Sequence, residues 1–228
     1  MKKILILLFA TFFSYSNLSV AADFKMPKLP EFNLPNINGT IGIGATTNLG
    51  HAKGSETGNS TTNTHVVKEG GVFVDDSMTV FAELNLGDRI SLGVQYLADD
   101  LATPESENTK NGSKNTLKAT FSDITTMYAR LNVIGGFYIK AGFVEGDIET
   151  LENVTTSSQS GSTVPDQDLK GDVMGIGHMY EHDNGLQLRT ELMYADYDVF
   201  KVTDTSGDVY DITTLESLQA SIMVAKAF

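Results

Sequence analysis

From Gly39 onward the chain alternates apolar with small or polar residues at a period of two, the pattern of strands whose side chains point in turn to opposite faces of a sheet. Ile41, Ile43, Ala45, Thr47 and Leu49 share one parity, and Thr40, Gly42, Gly44, Thr46 and Asn48 the other. Met78, Val80, Ala82, Leu84 and Leu86 repeat the pattern, a Gly87-Asp88 turn follows, and Ile90, Leu92, Val94 and Tyr96 carry the apolar face back. A second hairpin runs from Met127, Ala129, Leu131 and Val133 through residues 134–136 into Phe137, Ile139, Ala141 and Phe143. A third turns at Asp183-Asn184-Gly185, where Asn-Gly suits the positive φ of a type I′ turn, and leads into Leu186, Leu188, Thr190, Leu192 and Tyr194. The final strand sets Leu218, Ala220, Ile222, Val224, Lys226 and Phe228 on one face. The fold class is all-β.

The connections between these eight strands fall into two classes that alternate strictly. Three are short, at residues 87–88, 134–136 and 183–185; four are long and rich in Gly, Ser, Thr, Asn and Asp, at 51–71, 99–117, 145–170 and 201–211. An antiparallel up-and-down transmembrane β-barrel has this asymmetry, with short periplasmic turns and long external loops. Pro104 and Pro165 lie in long connections, so no strand contains a proline, as ladder hydrogen bonding requires. A soluble β-sandwich also alternates, but it does not need an outward face of about five apolar residues per strand or aromatics gathered at two interfaces. On the apolar parity Phe137, Tyr180 and Phe228 fall near the short turns, and Tyr96, Phe143 and Tyr194 near the long loops. They make two aromatic girdles.

Residues 1–22 read as a secretory signal: Lys2 and Lys3, an apolar run over 4–13, then Ser19-Val20-Ala21-Ala22. That run is too short for a transmembrane helix, which takes about 20 apolar residues. Residues 23–38 hold Pro27, Pro30 and Pro35 and are expected to form an extended periplasmic tail, leaving 39–228 as the barrel. The chain has no cysteine, hence no disulfide, thiolate metal site or acylated cysteine. Its net charge is -13, and nucleic acid, which needs a basic face, is excluded as a partner.

The segment 218–228, ending in Phe228, resembles the closing strand of Gram-negative outer-membrane β-barrels. The stretch from Gly39 to Phe228 resembles the small eight-stranded barrels of the outer-membrane protein A and X type, within the porin-like superfamily. The resemblance implies residence in the outer membrane amid lipid and lipopolysaccharide. It also implies an assembly signal, Phe228 with Val224 and Ile222, read by the barrel assembly machinery. Lys226 departs from the apolar character usual two residues before the terminal aromatic; near an interface a lysine can snorkel.

The inward parity collects Glu83, Arg89, Arg130, Lys140, Arg189 and Glu191, with Glu181 at its edge. An eight-stranded barrel is just wide enough for its own side chains to fill, so mixed charge there reads as a paired plug, with a charged gate as the functional variant. His178-Met179-Tyr180-Glu181-His182 matches the His-x-x-Glu-His pattern of zinc peptidases, but that chemistry needs a helix. In a strand the two imidazoles stand about 13 Å apart. His178 shares a parity with Met174, Ile176 and Tyr180, so the facing of 171–182 is open, and a bulge would reverse its lower half. His51 and His65 fall in the first long loop with no spacing that fixes a triad, so no catalytic residue, metal or cofactor is assigned. The acids of the long loops, among them Asp99, Glu145, Asp168 and Asp211, offer oxygens to a cation or an external ligand. The reading is a non-enzymatic barrel with a structural or surface-interaction role. The alternative is a small porin of eight to ten strands passing polar solutes, and a lipid-modifying outer-membrane enzyme comes third.

Overall fold

Each short connection contains a glycine in the left-handed region, which residues bearing a Cβ rarely adopt. Gly87 (φ 69°), Gly135 (φ 59°), Gly136 (φ 83°) and Gly185 (φ 80°) have this conformation. At 183–185 the expected type I′ turn needs positive φ at two central residues. Gly185 alone has it, and its N–H donates to the His182 carbonyl at 2.7 Å, so the connection is a three-residue loop ended by a left-handed glycine. The first turn extends one residue further than Gly87-Asp88, because Leu86 pairs with Ile90. Arg89 is therefore an exposed turn residue and not an inward one.

The computed structural model describes residues 37–58, 66–110, 113–154, 164–205 and 207–228. They form β1 (Ile37–Thr57), β2 (Val66–Leu86), β3 (Ile90–Leu97), β4 (Leu101–Ala102), β5 (Ser106–Lys110), β6 (Ser113–Asn132), β7 (Phe137–Val154), β8 (Gln167–Glu181), β9 (Leu186–Tyr197), β10 (Lys201–Thr203) and β11 (Val209–Ala227). Eight of these pair antiparallel in the order β1, β2, β3, β6, β7, β8, β9, β11, and β11 pairs back onto β1. The sheet is a closed ring. Short β4 and β5 continue along β6 above β3, and β10 lies along β11.

Several expected loops are strand. β1 and β2 stay paired out to Thr57↔Val66, β6 and β7 to Asn115↔Val154, and β11 begins at Val209. These extensions are rich in Gly, Ser, Thr and charge and carry no apolar period; pairing alone satisfies their backbone. His51, expected in a loop, is thus a β1 residue. Ile37 and Asn38, expected in the tail, also belong to β1 and pair with Leu86 and Asn85. The signal segment and the rest of the tail, like His65, lie outside the described residues.

The ring wears its apolar residues outward. Ile43, Val80, Val94, Leu131, Ile139, Leu188 and Val224 are exposed, as are Ile222 at 63% and Ile176 at 62%. A soluble monomer rarely exposes an apolar patch larger than a few hundred Å², whereas lipid accepts such a surface and demands a closed sheet without edges. Phe137, Tyr180, Phe228, Tyr96 and Phe143 are all exposed on this outer face, and Tyr194 is half-buried there. Along β8 the register with β7 is continuous from Ile148↔Gln167 to Phe137↔His178, so no bulge reverses its facing. His178 points outward with its ring edge-on to Phe137 at 4.8 Å, and its Nε2 lies 3.2 Å from the Gly135 carbonyl oxygen.

The seam between β1 and β11 ends in a reciprocal pair of hydrogen bonds: the Gly39 N–H donates to the Phe228 carbonyl and the Phe228 N–H to the Gly39 carbonyl, both at 3.0 Å. The Phe228 ring covers Gly39, where a Cβ would stand 2.7 Å from it. Lys226 Nζ donates to the Asn184 carbonyl in the neighbouring turn. Deleting Phe228 is expected to lower the yield of assembled barrel in cells more than it lowers the stability of barrel refolded in detergent. Heat-dependent electrophoretic mobility measures both, and equal losses would count against a signalling role.

Candidate functional site

Alternation along β2, β7, β9 and the part of β6 from Thr125 to Asn132 carries Glu83, Arg130, Lys140, Arg189 and Glu191 into the lumen, and all five are buried. Glu83 is the hub. Its Oε1 accepts from Arg130 Nε (3.1 Å), Arg189 Nη1 (2.9 Å) and the Tyr128 hydroxyl (3.0 Å), and its Oε2 from Arg130 Nη2 (2.9 Å) and Arg189 Nη2 (2.8 Å). Because β2 and β9 are not neighbours in the ring, the Glu83–Arg189 pair crosses the lumen. Beside it Lys140 Nζ donates to Glu191 Oε1 at 2.9 Å and to Gln95 Oε1 at 2.6 Å, while the Tyr138 hydroxyl donates to Glu191 Oε2 at 3.0 Å. The two clusters interlock through rings: Lys140 Nζ sits 3.8 Å from the Tyr128 ring centre and the Arg130 guanidinium 5.3 Å from that of Tyr138. Cation–π contacts of this kind strengthen on desolvation.

Toward the short turns the network continues. Arg189 Nε donates to Gln187 Oε1 at 3.0 Å and Gln187 Nε2 to Glu181 at 2.7 Å, so Glu181 joins through an amide. Arg130 also donates to Ser91 Oγ at 2.8 Å and to Asn132.

Tyr128 and Tyr138 share the inward parity of Arg130 and Lys140, and both are buried. Each faces a glycine in register, Gly93↔Tyr128 and Gly177↔Tyr138, where a Cβ would meet the ring at 2.5 Å and 2.2 Å respectively. The missing side chains let the rings lie against the wall and aim their hydroxyls at the two carboxylates. The signal was an inward glycine opposite an inward tyrosine, readable once the register is known.

Above the plug, toward the long loops, the interior turns apolar. Phe73, Phe121, Ile124, Ile148, Leu169 and Leu215 form a buried cluster, with Phe73 and Phe121 stacked at 5.7 Å between centres. Over it opens a cavity of about 510 Å³ walled by Ala52, Phe73, Ala119, Phe121, Ile148 and Leu215, within the size range of small-molecule sites. The lumen is therefore filled by side chains in its short-turn half and hollow at the long-loop end. Strands extended beyond the apolar belt and small inward residues such as Ala52 and Ala119 leave the space.

The other candidate residues do not assemble into chemistry. His178 faces outward, Glu181 is bound to Gln187, and His182 Nδ1 lies 3.4 Å from the Asn184 N–H in the turn. Outside the barrel, above the apolar belt, His51 Nδ1 lies 2.8 Å from Glu216 Oε1 and the Tyr194 hydroxyl donates to Oε2 at 2.6 Å. Among the described residues no hydroxyl bonds the His51 imidazole, and no three acidic or histidine side chains converge as a metal would need. Of the acids expected in loops, Asp99 accepts the Met78 N–H at 2.7 Å, while Glu145, Asp168 and Asp211 belong to β7, β8 and β11, with Asp168 paired to Lys170 at 2.8 Å and Asp211 to Lys201 at 3.3 Å.

No protein-family model matches this sequence, and neither does any curated protein. Among solved structures, the outer membrane protein OprG from Pseudomonas aeruginosa is similar with a TM-score of 0.58 at 12% identity, over 86% of this chain and 98% of that one. The outer membrane protein AlkL, determined in lipid bilayers, gives 0.48 at 10% identity over 92% and 97%. Neisserial surface protein A gives 0.36 at 15% over 82% and 97%. At such identities the likeness is one of fold. The closed eight-strand ring, the outward apolar belt and the match in fold to OprG together show that this chain has the fold of the small outer-membrane β-barrels.

Proposed function

We propose that this barrel works at the cell surface as a sealed receptor, taking small apolar molecules into the long-loop end of its lumen and passing no ions through the short-turn half. The carrying observation is the Glu83 carboxylate clamped by Arg130 and Arg189 beneath an apolar cavity. An ion crossing there would have to unpair buried charges in a lumen no wider than its own side chains. An apolar guest above it needs no such rearrangement, and burying roughly 200 Å² of its surface is worth about 5 kcal/mol. The same clamp argues against a porin for polar solutes.

Purified protein in planar bilayers is expected to stay electrically silent, and the protein in lipid nanodiscs to bind methyl octanoate above the level of empty discs. Ala119→Phe, which projects a ring into the cavity, should weaken that binding about fivefold, equivalent to about 1 kcal/mol. Stepwise conductance from wild type would establish the porin instead.

A further inference from the structure

Nearly every polar side chain turned into the barrel has a partner. Thr46 and Ser221 bond at 2.8 Å, Gln95 and Thr79 at 3.2 Å, and the Tyr197 and Ser217 hydroxyls at 3.2 Å. Asn48 breaks the pattern. It is fully buried on the inward parity of β1, and both its Nδ2 and its Oδ1 lack a hydrogen-bond partner among the described residues. Gln219, directly opposite on β11, is 2% exposed, and its Oε1 is likewise unpaired. Native interiors seldom leave such groups unsatisfied, because each forfeits its hydration without replacement.

The position of these atoms gives them a use. Asn48 lines a void of about 20 Å³ together with Phe73, Phe121, Tyr197 and Leu215. Phe73, Phe121 and Leu215 also wall the large cavity, so the void adjoins it. A space of that size admits one small polar group.

We infer that the cavity takes an amphipathic molecule, its apolar body among the aromatic and aliphatic walls and a polar tip that both donates and accepts a hydrogen bond seated on Asn48. This rests on the receptor reading and narrows it to a class: primary amides, alcohols or protonated acids on a short hydrocarbon body. Asn48 presents its amide NH2 as donor and its amide oxygen as acceptor. An ester offers acceptors only and leaves Asn48 Oδ1 as it was.

Octanamide and methyl octanoate separate the possibilities. Each is measured by equilibrium dialysis against the full-length protein in lipid nanodiscs, with empty discs subtracted and affinity referred to free aqueous concentration. Octanamide is the less apolar of the two, so burial alone predicts that it binds more weakly. The expected result is the reverse, a preference of about tenfold for the amide, equivalent to about 1.4 kcal/mol. Asn48→Leu should abolish the preference for octanamide and leave methyl octanoate the tighter binder of the two, as burial alone predicts. Should the variant not assemble, as judged by heat-dependent mobility, the wild-type ratio alone decides. Equal affinities in wild type overturn the assignment to Asn48 and leave the receptor standing, whereas failure of both compounds to bind overturns the receptor and this inference together. A preference that survives Asn48→Leu also overturns it.

Discussion

Glu83→Ala is expected to destabilise the barrel by about 3–5 kcal/mol, the range for removing one partner of a buried ion pair. Arg130 and Arg189, 3% and 2% exposed, would then face each other with their shared counter-ion gone, and Tyr128 would lose its acceptor. The loss comes chiefly from stranding buried charge, since a well-made buried pair contributes little net stability over apolar packing. Two companion variants follow from that. Glu83→Gln keeps an acceptor but not the charge and should fall between wild type and alanine. Replacing Glu83, Arg130 and Arg189 together with methionines should recover most of the loss. Urea unfolding of refolded protein, followed by the heat-dependent mobility shift, ranks the four proteins. An alanine variant within about 1 kcal/mol of wild type would mean that water reaches the cluster and screens it. The gate reading makes a separate demand, that Glu83→Ala conduct where wild type is silent.

The second large effect is expected at a position with no functional group. Gly177→Ala places a methyl 2.2 Å from the Tyr138 ring, a separation that ring must vacate. Its hydroxyl is the donor to Glu191 Oε2 at 3.0 Å, so a steric change at the wall reaches the Lys140 pair. Overpacking costs about 1–3 kcal/mol, and the lost donor adds about 1–3 kcal/mol if the carboxylate stays buried. The cause can be isolated by repeating the substitution in a Tyr138→Ala background, where the methyl meets no ring. There its cost should shrink by an interaction energy inside the range of about 0.5–3 kcal/mol seen for contacting residues. Additive losses would show that Gly177 matters for its backbone alone.

These two sites also mark how far the sequence could be read. Glu83 and Arg189 were assignable to the lumen because β2 and β9 alternate without interruption and pair without a bulge through those positions. Their direct contact was not assignable, because it joins strands that are not neighbours and depends on the stagger of the closed ring. Parity counting failed at Arg89, where the turn takes one more residue than the dipeptide suggests. It also lost Phe121: β6 carries an extra residue between Ser122 and Thr125, with Asp123 at φ 51°, so Phe121 and Ile124 both point inward although their numbers differ in parity. A bulge shifts side-chain facing and leaves no reliable mark in composition. The apolar chamber went unseen for that reason, and because the Gly-, Ser- and Thr-rich stretches of β1 and β2 above the membrane look like loop until their pairing is known.

The seam between β1 and β11 brings together residues as remote as Thr46 and Ser221, 175 positions apart. Pairings this distant are slow to find, since the intervening chain must be organised first. Until they meet, two strands each present a row of unsatisfied N–H and C=O groups, and in hydrocarbon every such group costs several kcal/mol. An open intermediate is therefore confined to water or to a protein surface that covers both edges, and the kinetic problem of making this protein is one of delaying its entry into lipid until the ring has shut.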